Sequence, residues 1–304
     1  MLQDKVLIRE VGPRDGLQNE KQMIRTEDKV AWINQLSKTG LSYIEVTSFV
    51  NPKWIPALAD CLDVAKQIER EPGVTYAALV PNQRGLEGAL EADIDEVSVF
   101  MSASDTHNRK NINKSMDATF PVLKEVVQQA KSAGKSVRGY VSTVFGCPYE
   151  GRVSIDQVVH TSEKLMEMGI DELSLGDTIG VATPNQIEEV LLALKGIIPI
   201  ESLALHVHDT RGTALANVYQ AYQLGVRRFD GAVGGLGGCP YAPGAAGNVA
   251  TEDMLYLFNG LGVETGVSLE HLVDSAEFIH QKVGRPLPSH NLQARLASDC
   301  KEGV

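Results

Sequence analysis

Leu203-Ala204-Leu205-His206-Val207-His208-Asp209-Thr210-Arg211-Gly212 is the stretch from which the fold can be read. An apolar run ends in a polar turn with a glycine, a helical stretch from Gly212 to Leu224 stops at Gly225, and a new β-rich run begins at Arg228. Short apolar runs bounded by turn residues read as buried strands, and a glycine just past an amphipathic stretch reads as a helix stop. The same alternation continues in both directions. Further β-rich runs lie at Val6 to Val11, Tyr43 to Phe49, Val74 to Val80, Glu96 to Met101, Ser136 to Val144 and Glu172 to Leu175, and with Leu203 to Val207 and Arg228 to Val233 they make eight strands. Helical stretches between or after them include Thr26 to Thr39, Ala57 to Arg70, Met116 to Ala133, Ile155 to Met168, Pro184 to Leu194 and Glu252 to Leu261. Eight βα units in about 250 residues, with no linker between them, predict an α/β fold of the (β/α)8 TIM barrel type. A doubly wound open sheet is the alternative, but no Gly-x-Gly-x-x-Gly follows the first strand. Residues from about 265 to 304 form a C-terminal helical appendage, with a strong helix at Leu269 to Val283, and the whole of 1–304 reads as one catalytic domain.

The composition sets wide bounds. With 304 residues and 43% hydrophobic content the chain can bury a barrel-sized core. A formal net charge of −11 argues against nucleic acid or an anionic membrane surface as partner, and leaves small molecules open. No apolar run approaches the roughly 20 residues that span a bilayer, no signal sequence precedes the first strand, and four cysteines are too few for a disulfide scaffold. A cytoplasmic protein is expected. A homo-oligomer, with a dimer favoured, is the expected assembly.

A barrel collects its chemistry at the carboxyl ends of its strands. Strand 1 ends in Gly12-Pro13-Arg14-Asp15-Gly16, strand 2 carries Glu45, Thr47 and Ser48, strand 6 ends in Gly176-Asp177-Thr178, and strand 7 ends in two histidines. Period-two alternation aims His206 and His208 at one face, where a metal could bind both. Each of these residues alone has a plain structural explanation: Arg14 and Asp15 as a local ion pair, Glu45 as an outward side chain, Asp177 as a cap. Their convergence has none. Asp15 with the two imidazoles is too polar and thiolate-poor for structural zinc and suits a divalent cation, Mg²⁺ or Mn²⁺, with Asn248 as a further ligand.

Six glycines fall between residues 234 and 247, after strand 8. Such a segment suits a lid closing on a substrate, or equally a phosphate cradle. Cys239 at its centre favours the first, because a glycine-rich loop offers a structural cysteine no apolar face. Gly146-Cys147-Pro148-Tyr149 repeats part of the motif after strand 5, and Cys147 reads as a wall of the site. Around the predicted barrel mouth, Arg109, Lys110, Lys114 and Arg138 are basic, with Asn111 and Asn113 beside them.

Gly12-Pro13-Arg14-Asp15-Gly16-Leu17-Gln18-Asn19-Glu20, His206-Val207-His208-Asp209, Gly237-Gly238-Cys239-Pro240-Tyr241-Ala242 and Gly247-Asn248-x-Ala250-Thr251-Glu252-Asp253 together resemble the 3-hydroxy-3-methylglutaryl-CoA lyases, from about Val6 to about Arg295. The wider family of metal-dependent acyl-CoA barrels shares the Arg-Asp and His-x-His elements but not the cysteine loop. The resemblance implies cleavage of 3-hydroxy-3-methylglutaryl-CoA to acetyl-CoA and acetoacetate with a divalent cation, and suggests a place in leucine breakdown. It implies Asp15, His206, His208 and Asn248 as metal ligands, Arg14 and Cys239 as the catalytic pair, and Glu45 and Asp177 as supporting carboxylates. Asp15 or His206 is expected to move the hydroxyl proton. Gln18, Ser48, Asn111, Arg138 and Thr178 are the expected substrate-binding side chains, and Arg109, Lys110, Lys114 and Arg138 are expected to face the phosphates of coenzyme A. Arg211 departs from the family, where a Tyr is expected. A Claisen-type synthase joining acetyl-CoA to a 2-oxo acid and a non-catalytic metal-binding barrel are the competing readings.

Overall fold

Strands β1 (Leu7–Glu10), β2 (Tyr43–Ser48), β3 (Thr75–Leu79), β4 (Glu96–Ser102), β5 (Ser136–Ser142), β6 (Glu172–Asp177), β7 (Leu203–Val207) and β8 (Arg228–Gly231) run parallel and pair in sequence order, and β8 returns to β1 with Arg228 opposite Leu7. The computed structural model in which they close describes residues 5–238 and 247–302. Closure settles the choice between the two folds: the sheet is a (β/α)8 barrel. Around it lie α1 (Thr26–Ser37), α2 (Cys61–Gln67), α3 (Gln83–Glu91), α4 (Asp105–Ile112), α5 (Met116–Ser132), α6 (Ile155–Glu167), α7 (Pro184–Leu194), α8 (Ala214–Gln223) and α9 (Thr251–Gly260). Their starts follow local chemistry. Ser104, Ser115 and Ser154 each accept a hydrogen bond from the backbone N–H three residues on, which satisfies a donor the first turn leaves open. No helix among the described residues is long and apolar enough to cross a membrane.

Two helices are not among the expected ones. In α3, which is amphipathic and capped by Asn82, a Cβ at Gly85 or Gly88 would stand 2.7 Å from Phe49, so close packing on the β2 end requires these glycines. In α4, Asp105-Thr106-His107-Asn108-Arg109-Lys110-Asn111-Ile112 is almost wholly polar, and only the Ser104 cap announces it. The expected helix from Ala57 to Arg70 is a 3-10 turn at Pro56–Leu58 followed by the shorter α2.

The C-terminal appendage is α10 (Leu269–Val283) and α11 (His290–Glu302). It joins the two ends of the barrel. Val6 N–H donates to Glu264 O at the amino end, while Leu287 and Pro288 sit against Gly234 and Gly235 at the carboxyl end, where a Cβ would meet them at 2.5 and 2.8 Å. Asp253 accepts from the backbone of His290 and Asn291 and so fixes the start of α11.

The barrel interior is partly polar. Arg138 on β5 donates to Glu172 on β6 (2.7 Å), to Tyr140 (2.5 Å) and to Asp230 on β8 (2.5 Å), and is fully buried. This corrects its expected role. Arg138 and Asp230 lie on strands three apart in the barrel, so their pair crosses the interior, and the fully buried guanidinium has no access to a carrier phosphate at the mouth.

Candidate active site

After β1 the chain makes a single turn of π-helix, Gly12–Gly16, a feature that often re-aims side chains at functional sites. Crowding holds the turn: a Cβ on Gly12 would stand 2.5 Å from Glu10 Oε1, and one on Gly16 would stand 2.8 Å from Leu236 Cβ. Glu10, fully buried, accepts from Gly12 N–H (2.7 Å), Val233 N–H (3.0 Å) and the Thr251 hydroxyl (2.6 Å), tying this turn to the start of the glycine-rich segment. Burial pushes its carboxyl up to about 7.

The turn presents Arg14 and Asp15 side by side. Arg14 donates through Nε to Glu45 Oε2 (2.5 Å) and through Nη1 to Asp15 Oδ1 (2.5 Å), and its guanidinium lies 5.4 Å from the centre of the Tyr140 ring. Burial works against its charge, but Glu45 and Asp15 outweigh that and raise its pKa. Asp15 also accepts from Gln18 Nε2 and Asn248 Nδ2, both at 2.7 Å. Burial alone would raise the Asp15 carboxyl; Arg14 and the two histidines overcome it and bring it down to about 2.

His206 and His208 meet it from β7 and its extension. Their Nε2 atoms are 3.2 Å apart, and His206 Nε2 is 4.0 Å from Asp15 Oδ2. One ligand atom from each of Asp15, His206 and His208 falls within a 4.8 Å cluster, a donor set able to hold a metal ion. Burial and the neighbouring His206 press His208 down to about 4, so it stays a neutral ligand near pH 7. Asn248 is delivered by a short antiparallel bridge to His208, with Asp209 N–H donating to Gly247 O.

The other expected residues divide. Glu45 Oε1 and Ser48 Oγ are buried with no hydrogen-bond partner among the described residues, polar atoms of the kind a substrate or water satisfies. Asp177 accepts from Val181 and Ala182 N–H (2.9 and 3.0 Å): it caps the loop after β6, the plain structural reading of that residue. Thr178 Oγ1 accepts from Thr143 N–H (2.8 Å), whose φ of 60° is strained for a β-branched residue. Arg211 donates to the carbonyls of Ile179 and Gly180. Asn111, Lys110 and Lys114 are exposed on and after α4, while Arg109 is paired with Asp105 at 2.6 Å. Cys147 is buried beside Ser104 (3.1 Å) and lines a separate cleft of 480 Å³ with Phe145, Val181 and Gln186, so it is not a wall of the histidine cluster. Cys239 lies outside the described residues, as does most of the expected lid. Sequence reasoning missed Glu10, Tyr140 and Asp230; each lies inside a strand-like run, and no motif marks it.

A family model described as HMGL-like matches residues 5–279. The chain belongs to the HMGL-like family. It is 64% identical over 294 residues to a hydroxymethylglutaryl-CoA lyase of Bacillus subtilis, covering 97% of this chain and 98% of the relative. The crystal structure of the B. subtilis HMG-CoA lyase superposes with a TM-score of 0.95 at 63% identity, over 96% of this chain and 98% of that one. An HMG-CoA lyase from Acinetobacter baumannii, solved in complex with coenzyme A and 3-methylmalate, superposes with a TM-score of 0.93 at 40% identity, over 97% and 96%. The expectation of an enzyme of this lyase type, rather than of a non-catalytic barrel, therefore holds.

Proposed function

We propose that this chain, acting as one catalytic unit, cleaves 3-hydroxy-3-methylglutaryl-CoA to acetyl-CoA and acetoacetate. The observation that carries the reading is the meeting of a guanidinium held by two carboxylates, Arg14 with Glu45 and Asp15, with the donor cluster of Asp15, His206 and His208. Breaking the bond between C2 and C3 requires loss of the C3 hydroxyl proton, stabilisation of a thioester enolate, and protonation of its carbon.

A divalent cation, Mg²⁺ or Mn²⁺, would be held by Asp15, His206, His208 and Asn248 and would supply Lewis acidity toward the C3 hydroxyl. Asp15 or His206 takes that proton. His206 has Nδ1 engaged by Asp230 and Nε2 turned to the cluster, while Asp15 is engaged by Arg14, Gln18 and Asn248. Arg14 then stabilises the enolate oxygen. Its Nη2 is not engaged by any described residue, and a donor so placed contributes a few kcal/mol to the barrier. Cys239, assigned from the sequence and the family resemblance, gives its proton to the enolate carbon and forms the acetyl methyl group. Ser48, Glu45 and Gln18 bound the acyl end; Lys110 and Lys114, with Asn111, receive the carrier phosphates. Charge reversal at both lysines should raise KM for the thioester in a salt-dependent way.

Incubation with the thioester and Mn²⁺, followed by mass-spectrometric product analysis, tests this. Acetyl-CoA and acetoacetate in equal amounts support it. Release of free CoA from acetyl-CoA plus a 2-oxo acid, with the glutaryl thioester intact, would replace it with the synthase reading.

A further inference from the structure

His206 is held from both sides. Nε2 faces the cluster, and Nδ1 lies 3.2 Å from Oδ2 of Asp230, the residue opposite it in the β7–β8 register. Asp230 is 1% exposed, below the site in the barrel. Its Oδ1 accepts from Arg138 Nη2 at 2.5 Å, and its Oδ2 is 3.0 Å from the Ser174 hydroxyl. Arg138 is fixed in turn by Glu172 and Tyr140. The second histidine has no such support: Nδ1 of His208 has no hydrogen-bond partner among the described residues.

We propose that Asp230 is a positioning residue that locks His206 in the Nδ1–H form and thereby presents the Nε2 lone pair to the cation. The inference rests on the cation reading above. A neutral imidazole carries one ring proton, and the hydrogen bond at one nitrogen decides which nitrogen is left to ligate. Arg138 can only donate, so the carboxylate it grips must present acceptors, and the nitrogen of His206 facing it must carry the hydrogen. The lock is rigid because every member is buried and the Arg138–Asp230 pair spans the barrel. Asp230 touches neither substrate nor ion. It also explains why a fully buried arginine lies beneath a cation site: it holds the carboxylate that holds the ligand.

Asp230→Asn is a test with a definite geometry. Arg138 keeps the amide oxygen on its side, so the NH2 group takes the place of Oδ2 and donates to Nδ1. The His206 proton then moves to Nε2, where it blocks the cluster. Calorimetric titration of the metal-free chain with Mn²⁺ should show affinity falling about 10- to 100-fold, the usual effect of losing such a partner. Wild-type Mn²⁺ affinity in a folded Asp230→Asn chain would overturn the proposal. A second measurement needs no Asp230 variant: the long-range ¹H–¹⁵N spectrum of the metal-free wild type at pH 8, with His206 assigned through His206→Gln. A proton on Nδ1 is expected, and one on Nε2 would overturn the lock even if Asp230→Asn failed to fold. His208→Ala separates this from the cation reading. If it binds Mn²⁺ as the wild type does, the cation site itself is wrong; if it loses Mn²⁺ while Asp230→Asn keeps it, only the lock fails.

Discussion

At the scale of single residues, Arg14 and Asp15 derive their properties from each other. Arg14 reaches Glu45 through Nε and Asp15 through Nη1, and in the proposed reaction its remaining donors serve the substrate. A lysine has one compact ammonium on a flexible stem and cannot serve all three. Arg14→Lys should therefore lower kcat by roughly 10²- to 10³-fold while KM changes little, and steady-state kinetics at saturating Mn²⁺ check this. Near wild-type kcat would remove Arg14 from the reaction. Cys239→Ser replaces a thiol with a hydroxyl that scarcely ionises, and turnover should fall by roughly two to four orders of magnitude. The same variants of Cys61 and Cys147 should stay active, since Cys61 is on α2 and Cys147 lines the other cleft. What could be read in the sequence at this scale follows from where each residue stands. Asp15, His206 and His208 announce themselves because strand ends in a barrel converge. Asp230 and Glu10 do not, because a lone carboxylate in a strand looks like a solvent-facing residue until closure turns it inward. Arg138 was misread for that reason: its charge suggested phosphate, but its partners are inside the sheet.

At the scale of elements, the π-turn at Gly12–Gly16 sets both Arg14 and Asp15, and it tolerates no side chain at its first position. Gly12→Ala would drive a Cβ into Glu10 and the Trp32 ring, 2.5 and 3.0 Å away. We expect a folded barrel with kcat reduced at least about tenfold, since small misplacements of catalytic groups are amplified in rate. Circular dichroism with kinetics decides, and full activity would show that the turn does not set the site. Strand β7 and the helices α7 and α10 match their sequence reading because an apolar run or a strong periodicity marks each. The polar α4 has no such mark, while α3 is amphipathic but short, and its two glycines disguise it as a loop.

For the whole molecule, barrel closure buries carboxylates that the unfolded chain leaves in water. Burial pushes Glu252 up to about 8, against the hydrogen bonds it accepts from Gly234 N–H (2.9 and 3.1 Å). A folded pKa raised above the unfolded one, near 4.5, gives stability that is full below pH 4.5 and lost as pH rises through about 8. Glu10, near 7, acts in the same direction. Tm should therefore fall between about pH 4.5 and 8, and Glu252→Gln, which keeps an acceptor but does not titrate, should flatten that fall by on the order of 2 °C. Parallel curves for the two chains would contradict it. Above the level of stability, the barrel's task in the proposed reaction is to bring residues from its first, second and seventh strands to one ion and one thioester. The rate of acetoacetate formation by chelator-treated chain, followed as Mn²⁺ is added back, measures that task directly. We expect no cleavage without the ion and saturation at one ion per chain; undiminished cleavage after chelation would contradict the account.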